Sequence, residues 1–173
     1  MILLTLGTHE QPFDRAVDFV TPLGLQDTVV VQHGHTPPRP GTPGLEWVRF
    51  VEREAMRDLV RDASAVVCHA GVGCIITAIS LGKMPVVIPR LARHGEHVDD
   101  HQLQITTEMQ AAGLAIACLD GAGLPVALAA ARAHTPALPG LGDLKQAVAE
   151  ATASPRPRPI LSIRSVVAGA RSR

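Results

Sequence analysis

Two polar segments of the sequence contain residue types and spacings that could bind a phosphorylated ligand. The first is the turn His69-Ala70-Gly71-Val72-Gly73, between an apolar run at residues 64–68 and a predicted helix over residues 72–81. A glycine-rich turn that opens a helix presents bare backbone N–H groups at the positive end of the helix dipole, where anions and above all phosphates bind. Gly71 and Gly73 could equally be turn residues that allow close packing of helix and strand.

The second segment, residues 90–102, is rich in side chains that donate or accept hydrogen bonds. They are Glu96, His97, Asp99, Asp100, His101 and Gln102. Carboxylates, imidazoles and amides suit the recognition of several hydroxyl groups. A phosphate-binding turn beside a loop that can bind hydroxyl groups suggests a sugar nucleotide as the ligand.

Other kinds of site fit the residues less well. No GxGxxG follows the first predicted strand, and Gly82-Lys83 lacks the rest of a P-loop. His97 and His101 are four residues apart on a predicted helix and could bind zinc. The metalloprotease glutamate is absent after His97, however, and the aspartates also suit a helix N-terminus, so we expect no metal. His9, next to Glu10, is a candidate general base.

Length and composition limit the classes of function. The 173 residues suffice for one domain with a sizeable core. The formal net charge is zero and aromatic residues make up 2% of the sequence, which argues against nucleic-acid binding. The three cysteines lack CxxC spacing and are expected to be reduced core residues of a cytosolic protein. Without a basic leader or an apolar run of about 20 residues, membrane attachment is expected to need a partner.

Apolar runs alternate with amphipathic segments along residues 1–135. Six strands are predicted, at residues 1–6, 28–32, 45–51, 64–68, 84–89 and 114–119. Five helices are predicted, at residues 13–20, 53–62, 72–81, 97–112 and 124–134. This order predicts an α/β domain, a doubly wound, Rossmann-like parallel sheet with helices on both faces. The polar loops at residues 7–11, 69–73 and 90–102 should then meet at one edge of the sheet.

Residues 136–173 differ in character from this predicted nucleotide-sugar-binding domain. Residues 142–152 could form one more helix, and the tail that follows carries five arginines and no acidic residue. The tail is either a disordered, solvated end or a docking segment for a partner or an anionic surface.

Three motifs together resemble glycosyltransferase family 28, in its C-terminal, donor-binding half. They are GTHEQPFDR, CHAGVGCIITAISLGKMPVVIPR and GEHVDDHQLQ. The resemblance covers about residues 1–120 and is strongest to single-domain small subunits, those of the dolichol-linked UDP-GlcNAc transferase and of bacterial exopolysaccharide transferase pairs. It implies half of a GT-B fold, an inverting transfer from a UDP-sugar to a lipid-linked acceptor, and no essential metal or other cofactor. It also implies a membrane-anchored partner subunit that resembles the N-terminal half of such an enzyme.

The resemblance further implies roles for individual residues. Gly7, Thr8 and His9 match a first glycine loop, which faces the donor diphosphate and sugar. The turn from His69 to Gly73 matches a second loop, whose backbone meets the α-phosphate. Asp99, His101 and Gln102 match the segment of the family that binds the hydroxyl groups of the sugar. Thr77 stands where many family members carry an acid that binds the ribose, so either its hydroxyl replaces that acid or Glu96 binds the ribose.

The expected function is the transfer of a hexose to a lipid-linked saccharide by this chain and its partner. The reaction would serve polysaccharide or glycolipid synthesis at the cytoplasmic face of the membrane, with the general base supplied by the partner or by His9. A non-catalytic subunit that binds a nucleotide sugar is the alternative, and a free-standing enzyme such as an epimerase of GT-B descent is a third class. Without its partner, the chain could form a homodimer that covers the cleft.

Overall fold

The computed structural model describes residues 1–136 and residue 149. The basic tail and, apart from residue 149, the predicted helix over residues 142–152 lie outside the described residues. None of the helices in the described part of the chain has the length and apolar character needed to cross a bilayer.

Six parallel strands form one sheet with the spatial order β3-β2-β1-β4-β5-β6. The strands are β1 (Ile2–Thr5), β2 (Val29–Gln32), β3 (Leu45–Val48), β4 (Ala65–Cys68), β5 (Pro85–Val87) and β6 (Ile116–Ala117). The helices are α1 (Asp14–Val20), α2 (Arg53–Asp62), α3 (Val72–Ser80), α4 (His101–Ala111) and α5 (Leu124–Ala133). The chain runs outwards from β1 in one direction and then from β4 in the other, which confirms the predicted doubly wound, Rossmann-like fold.

Apolar side chains of the strands point alternately to the two faces of the sheet. One face, with Leu4, Val31 and Val67, packs against α1 and α5. The opposite face packs against α2, α3 and α4 through residues that include Leu3, Val30 and Val66. Because both faces are covered, the central strands have continuous apolar sequences rather than an alternation of apolar and polar residues.

Helix α4 begins at His101, four residues later than the predicted start at residue 97. Residues 96–100 form bends instead. The Glu96 and Asp100 carboxylates accept backbone N–H groups of the preceding turn, at 3.0 and 2.9 Å, and are therefore not available to cap an earlier helical turn. The prediction that His97 and His101 share a helical face is wrong. The other predicted elements among the described residues are present, with ends that differ by a few residues.

Arg90, which follows β5, is 1% exposed and joins the loops after β1 and β5. Its Nη1 donates hydrogen bonds to the carbonyl oxygens of Gln11 at 2.7 Å and Glu96 at 3.0 Å, and its Nη2 donates to that of Leu6 at 2.9 Å. The guanidinium carbon lies 4.7 Å from the centre of the Phe13 ring, within cation–π range. Burial lowers the pKa of Arg90 to about 10, so the side chain stays charged at neutral pH.

Replacing Arg90 by Met should lower the free energy of unfolding by about 3 kcal/mol, because three buried carbonyl groups lose a charged donor. Arg93→Met is the matched control, since Arg93 lies on the same loop but is exposed. We expect the control to change stability by less than about 0.5 kcal/mol. Urea unfolding of both variants measures the difference, and equal stabilities would contradict the importance of the Arg90 contacts.

Candidate functional site

A cavity of about 550 Å³ opens at the carboxyl-terminal edge of the sheet, between the loops that follow β1 and β4. These strands are neighbours, and the chain leaves them towards opposite sides of the sheet. Such a switch point is where open α/β sheets bind their ligands. Six predicted site residues line the cavity: Gly7, Thr8, His69, Gly71, Gly73 and Thr77.

The imidazole of His69 is enclosed by two glycines. Gly7 has a φ of +77°, and a Cβ added there would lie 2.5 Å from His69 Cε1. A Cβ added at Gly71 would lie 2.2 Å from His69 Nε2, whereas a Cβ at Gly73 would meet no atom within 4 Å. Gly7 and Gly71 are therefore required for the position of the imidazole, and Gly73 is not.

Burial keeps His69 in its neutral form, and the nearby charge of Arg90 adds a smaller effect in the same direction. Burial lowers the pKa of His69 to about 4, an effect that the nearby Thr5 carbonyl opposes only in part. The Nδ1 atom lies 3.4 Å from that carbonyl oxygen. Since a carbonyl only accepts, this contact places the proton of the neutral ring on Nδ1 and leaves the lone pair on Nε2, where it can accept a hydrogen bond.

The first turn of α3 forms the neighbouring part of the cavity wall. Gly71 is the N-cap residue, and no side chain caps the backbone N–H groups of this turn. The hydroxyl of Thr77, one turn further on, donates a hydrogen bond to the Gly73 carbonyl at 2.7 Å. Thr77 can therefore offer a ligand an acceptor, while its proton is held within the helix.

Two residues that were predicted to bind sugar or ribose are instead engaged inside the protein. The Glu96 carboxylate forms a salt bridge with Arg15 at 2.8 Å and is 4% exposed as a residue. The Gln102 side chain is also buried, and its Oε1 accepts the backbone N–H of Ala70 at 3.2 Å and of Arg90 at 3.1 Å. Glu96 and Gln102 therefore hold loops together in this structure.

A second polar cluster, the histidine group, comprises His9, His97, Asp99 and His101. The ring of His97 lies 4.5 Å from the rings of both His9 and His101, measured between centroids. Asp99 Oδ1 lies 3.2 Å from His97 Nδ1 and also contacts His101 Nδ1. Hydrogen bonds from the side chain and backbone N–H of His101 lower the pKa of Asp99, and the nearby His97 adds to this effect.

The histidine group could also hold a cation. One ligand atom from each of His97, Asp99 and His101 lies within 4.8 Å of the other two. His9 stands beside them, and burial lowers its pKa, with further lowering by the neighbouring His97 and Arg90.

Residues 1–148 match the family model described as the glycosyltransferase family 28 C-terminal domain. The chain belongs to this family. No curated protein matches the sequence of this family 28 domain.

Two solved glycosyltransferase structures share the fold of the family 28 domain. The glycosyltransferase of kitacinnamycin is 19% identical with a TM-score of 0.56, and the match covers 98% of this chain and 42% of that one. SnogD from Streptomyces nogalater is 18% identical with a TM-score of 0.51, and the match covers 96% and 42%. The family 28 domain thus spans less than half the length of either protein.

Helix α2 provides a wall of the cavity that was not predicted from the sequence. The α2 residues in the cavity lining are Arg53, Met56 and Arg57. The predicted loops after β1 and β4 provide other parts of the lining. The sequence contained an indication of this wall. The predicted strand at residues 45–51 ends at the same edge of the sheet as the strands that precede the three polar loops, so the helix after it starts near those loops. The helix at residues 53–62 looked like an ordinary surface helix because of its many charges.

Stability should fall as the pH drops from about 6.5 to about 4. In this window the unfolded chain binds a proton at His69 that the folded chain excludes, with a slope of up to about 1.4 kcal/mol per pH unit. Urea unfolding across this range should show a smaller slope in His69→Asn than in the natural chain. His35→Asn, at an exposed site, is the control and should keep the slope. An unchanged slope in His69→Asn would contradict the neutral, buried state of His69.

Proposed function

We propose that this chain is the donor-binding subunit of an inverting glycosyltransferase that moves a hexose from a UDP-sugar to a lipid-linked acceptor. The observation that carries the proposal is the cavity at the switch point, where the loops after β1 and β4 meet the first turn of α3. Its volume, about 550 Å³, suits a ligand of small-molecule size. Membership of a glycosyltransferase family supplies the class of reaction.

In this proposal, the first turn of α3 binds the phosphates of the donor. As the bond between the anomeric carbon and the phosphate oxygen breaks, negative charge grows on the departing UDP. Uncapped backbone N–H groups at a helix N-terminus stabilise such charge without having to reorganise. The lone pair on Nε2 of the neutral His69 would accept a hydrogen bond from a hydroxyl group of the donor.

The histidine group would face the transferred sugar and the acceptor. Asp99 and His101 are exposed and can bind hydroxyl groups directly. Gln102 would act indirectly, through the positions of Ala70 and Arg90.

A general base must remove the acceptor proton as the acceptor oxygen bonds to the anomeric carbon. His9 is a candidate, because its lowered pKa leaves it unprotonated at neutral pH. Alternatively, a residue of the partner subunit serves as the general base.

The partner is proposed from the resemblance of the three sequence motifs to the small subunits of two-part transferases. This chain covers 42% of each of the two similar glycosyltransferase structures. A membrane-anchored partner would close the cleft, provide the acceptor side and hold the complex at the cytoplasmic face of the membrane.

UDP should bind to the chain, alone or with its partner, and Gly71→Ala should weaken binding about tenfold. The added methyl group would overlap His69 Nε2 and force the imidazole to move within the cavity. Gly73→Ala is the matched control, because a Cβ there meets open space. Calorimetric titration with UDP measures the effect, and titration with GDP tests whether binding depends on the nucleobase.

The outcomes of this titration separate the possible functions. Failure of UDP to bind either to the chain or to its complex would contradict the proposal. Binding of a UDP-sugar without any transfer by the complex would favour the accessory, non-catalytic subunit.

If His9 is the base, His9→Gln should lower kcat of the complex by a factor of about 10² to 10⁴ while KM for the donor changes little. In the natural complex, the rate should fall as the pH drops through the pKa of His9, which lies below 6.5. His35→Gln serves as a control at an exposed site. An unchanged kcat in His9→Gln would assign the base to the partner subunit.

A further inference from the structure

Two arginine side chains of α2 line the candidate donor cavity and are not engaged by other described residues. Arg53 and Arg57 are one helical turn apart, and both line the cavity. Among the described residues, neither guanidinium has a hydrogen bond or ion pair. The next arginine on the same helix differs, since Arg61 pairs with Asp58 and does not line the cavity.

None of the described residues that line this cavity is acidic. Glu52, Glu54 and Asp58 are close to the two arginines along the chain, but none of the three is part of the lining. The imidazole of His69 is neutral, and the uncapped first turn of α3 adds partial positive charge. The cavity therefore presents two full positive charges and a helix N-terminus, with no carboxylate to balance them.

The placement of the two charges also argues for a ligand. Like charges at positions i and i+4 of a helix repel each other and destabilise the helix. A ligand with negative charge would remove this repulsion, and guanidinium groups bind phosphate oxygens through two parallel hydrogen bonds.

We infer that Arg53 and Arg57 bind the diphosphate of a nucleoside-diphosphate donor and make the cavity selective for two phosphates over one. The inference rests on the proposed donor site and adds the residues that bind the second phosphate of the donor. One phosphate would lie at the first turn of α3, and the other would lie within reach of the guanidinium groups on the α2 wall.

The test compares the binding of UDP and UMP to the full chain by calorimetry at low salt. The natural chain should bind UDP at least about tenfold more tightly than UMP. In Arg53→Gln and Arg57→Gln, affinity for UDP should fall about tenfold while affinity for UMP changes little, so the preference largely disappears. The affinity of these variants for UDP should also depend less steeply on salt.

Two controls make the result specific to the cavity. Arg61→Gln removes a charge from the same helix outside the cavity and should leave both affinities unchanged. Arg57→Lys keeps the charge but loses the fork geometry, so it should bind UDP with intermediate affinity. Melting temperatures of Arg53→Gln and Arg57→Gln should not fall, because each removes one member of a repelling pair.

The possible failures are distinguishable. A natural chain that binds UDP, with Arg53→Gln and Arg57→Gln binding it equally well, would overturn this inference and leave the proposed function standing. Absence of UDP binding by the natural chain and its complex would overturn the proposed function itself. Inorganic pyrophosphate that binds as tightly as UDP would overturn the assignment to a nucleotide.

Discussion

The buried guanidinium of Arg90 is the interaction on which the candidate site depends. A cation in a protein interior needs acceptors for most of its donors, because desolvation of the charge is unfavourable. In Arg90, Nη1 and Nη2 have acceptors and the buried Nε has none. Here the acceptors are backbone carbonyl groups of two loops that are far apart in the chain. Gln102 extends the connection, since one oxygen accepts N–H groups from the loops after β4 and β5. The three loops therefore form one unit, and each contributes to the position of the others.

The cavity that these loops border has a neutral polar group on one side and positively charged groups on the other. On one side, His69 is held neutral by burial, so it contributes an acceptor rather than a cation. Gly7 and Gly71 leave the room that its ring occupies. On the other side, Arg53 and Arg57 are exposed and contribute positively charged donors. A ligand that carries both hydroxyl groups and phosphates would meet suitable groups on both sides.

The fold could be predicted because its signals are local. Continuous apolar runs, glycine turns and charged helical segments follow one another along the chain, and each is visible within about ten residues. The three polar loops could be placed at one edge by the same reasoning, since parallel strands end together.

The details of the site depend on contacts between distant residues, which no local pattern reveals. Glu96 looked free to bind a ligand, yet its partner Arg15 lies 81 positions earlier in the chain. The start of α4 was missed because the carboxylates that might have capped it bind a neighbouring turn instead. Arg57 has the sequence context of a solvated residue, and only the packing of α2 beside α3 shows that it borders a cavity.

The pairing of β1 with β4 limits how the chain can change in length. Thr5 lies opposite Cys68 in the parallel register, so the two strands end at the same level and bring Gly7 up against the His69 ring. An insertion or deletion of one residue in either strand would reverse which side chains face each way and separate the glycine from the imidazole. Residues 37–43, the exposed part of the loop after β2, lie away from this contact and are free of this restriction. Length variation among related chains should therefore concentrate in that loop rather than between residues 1 and 8 or 64 and 73.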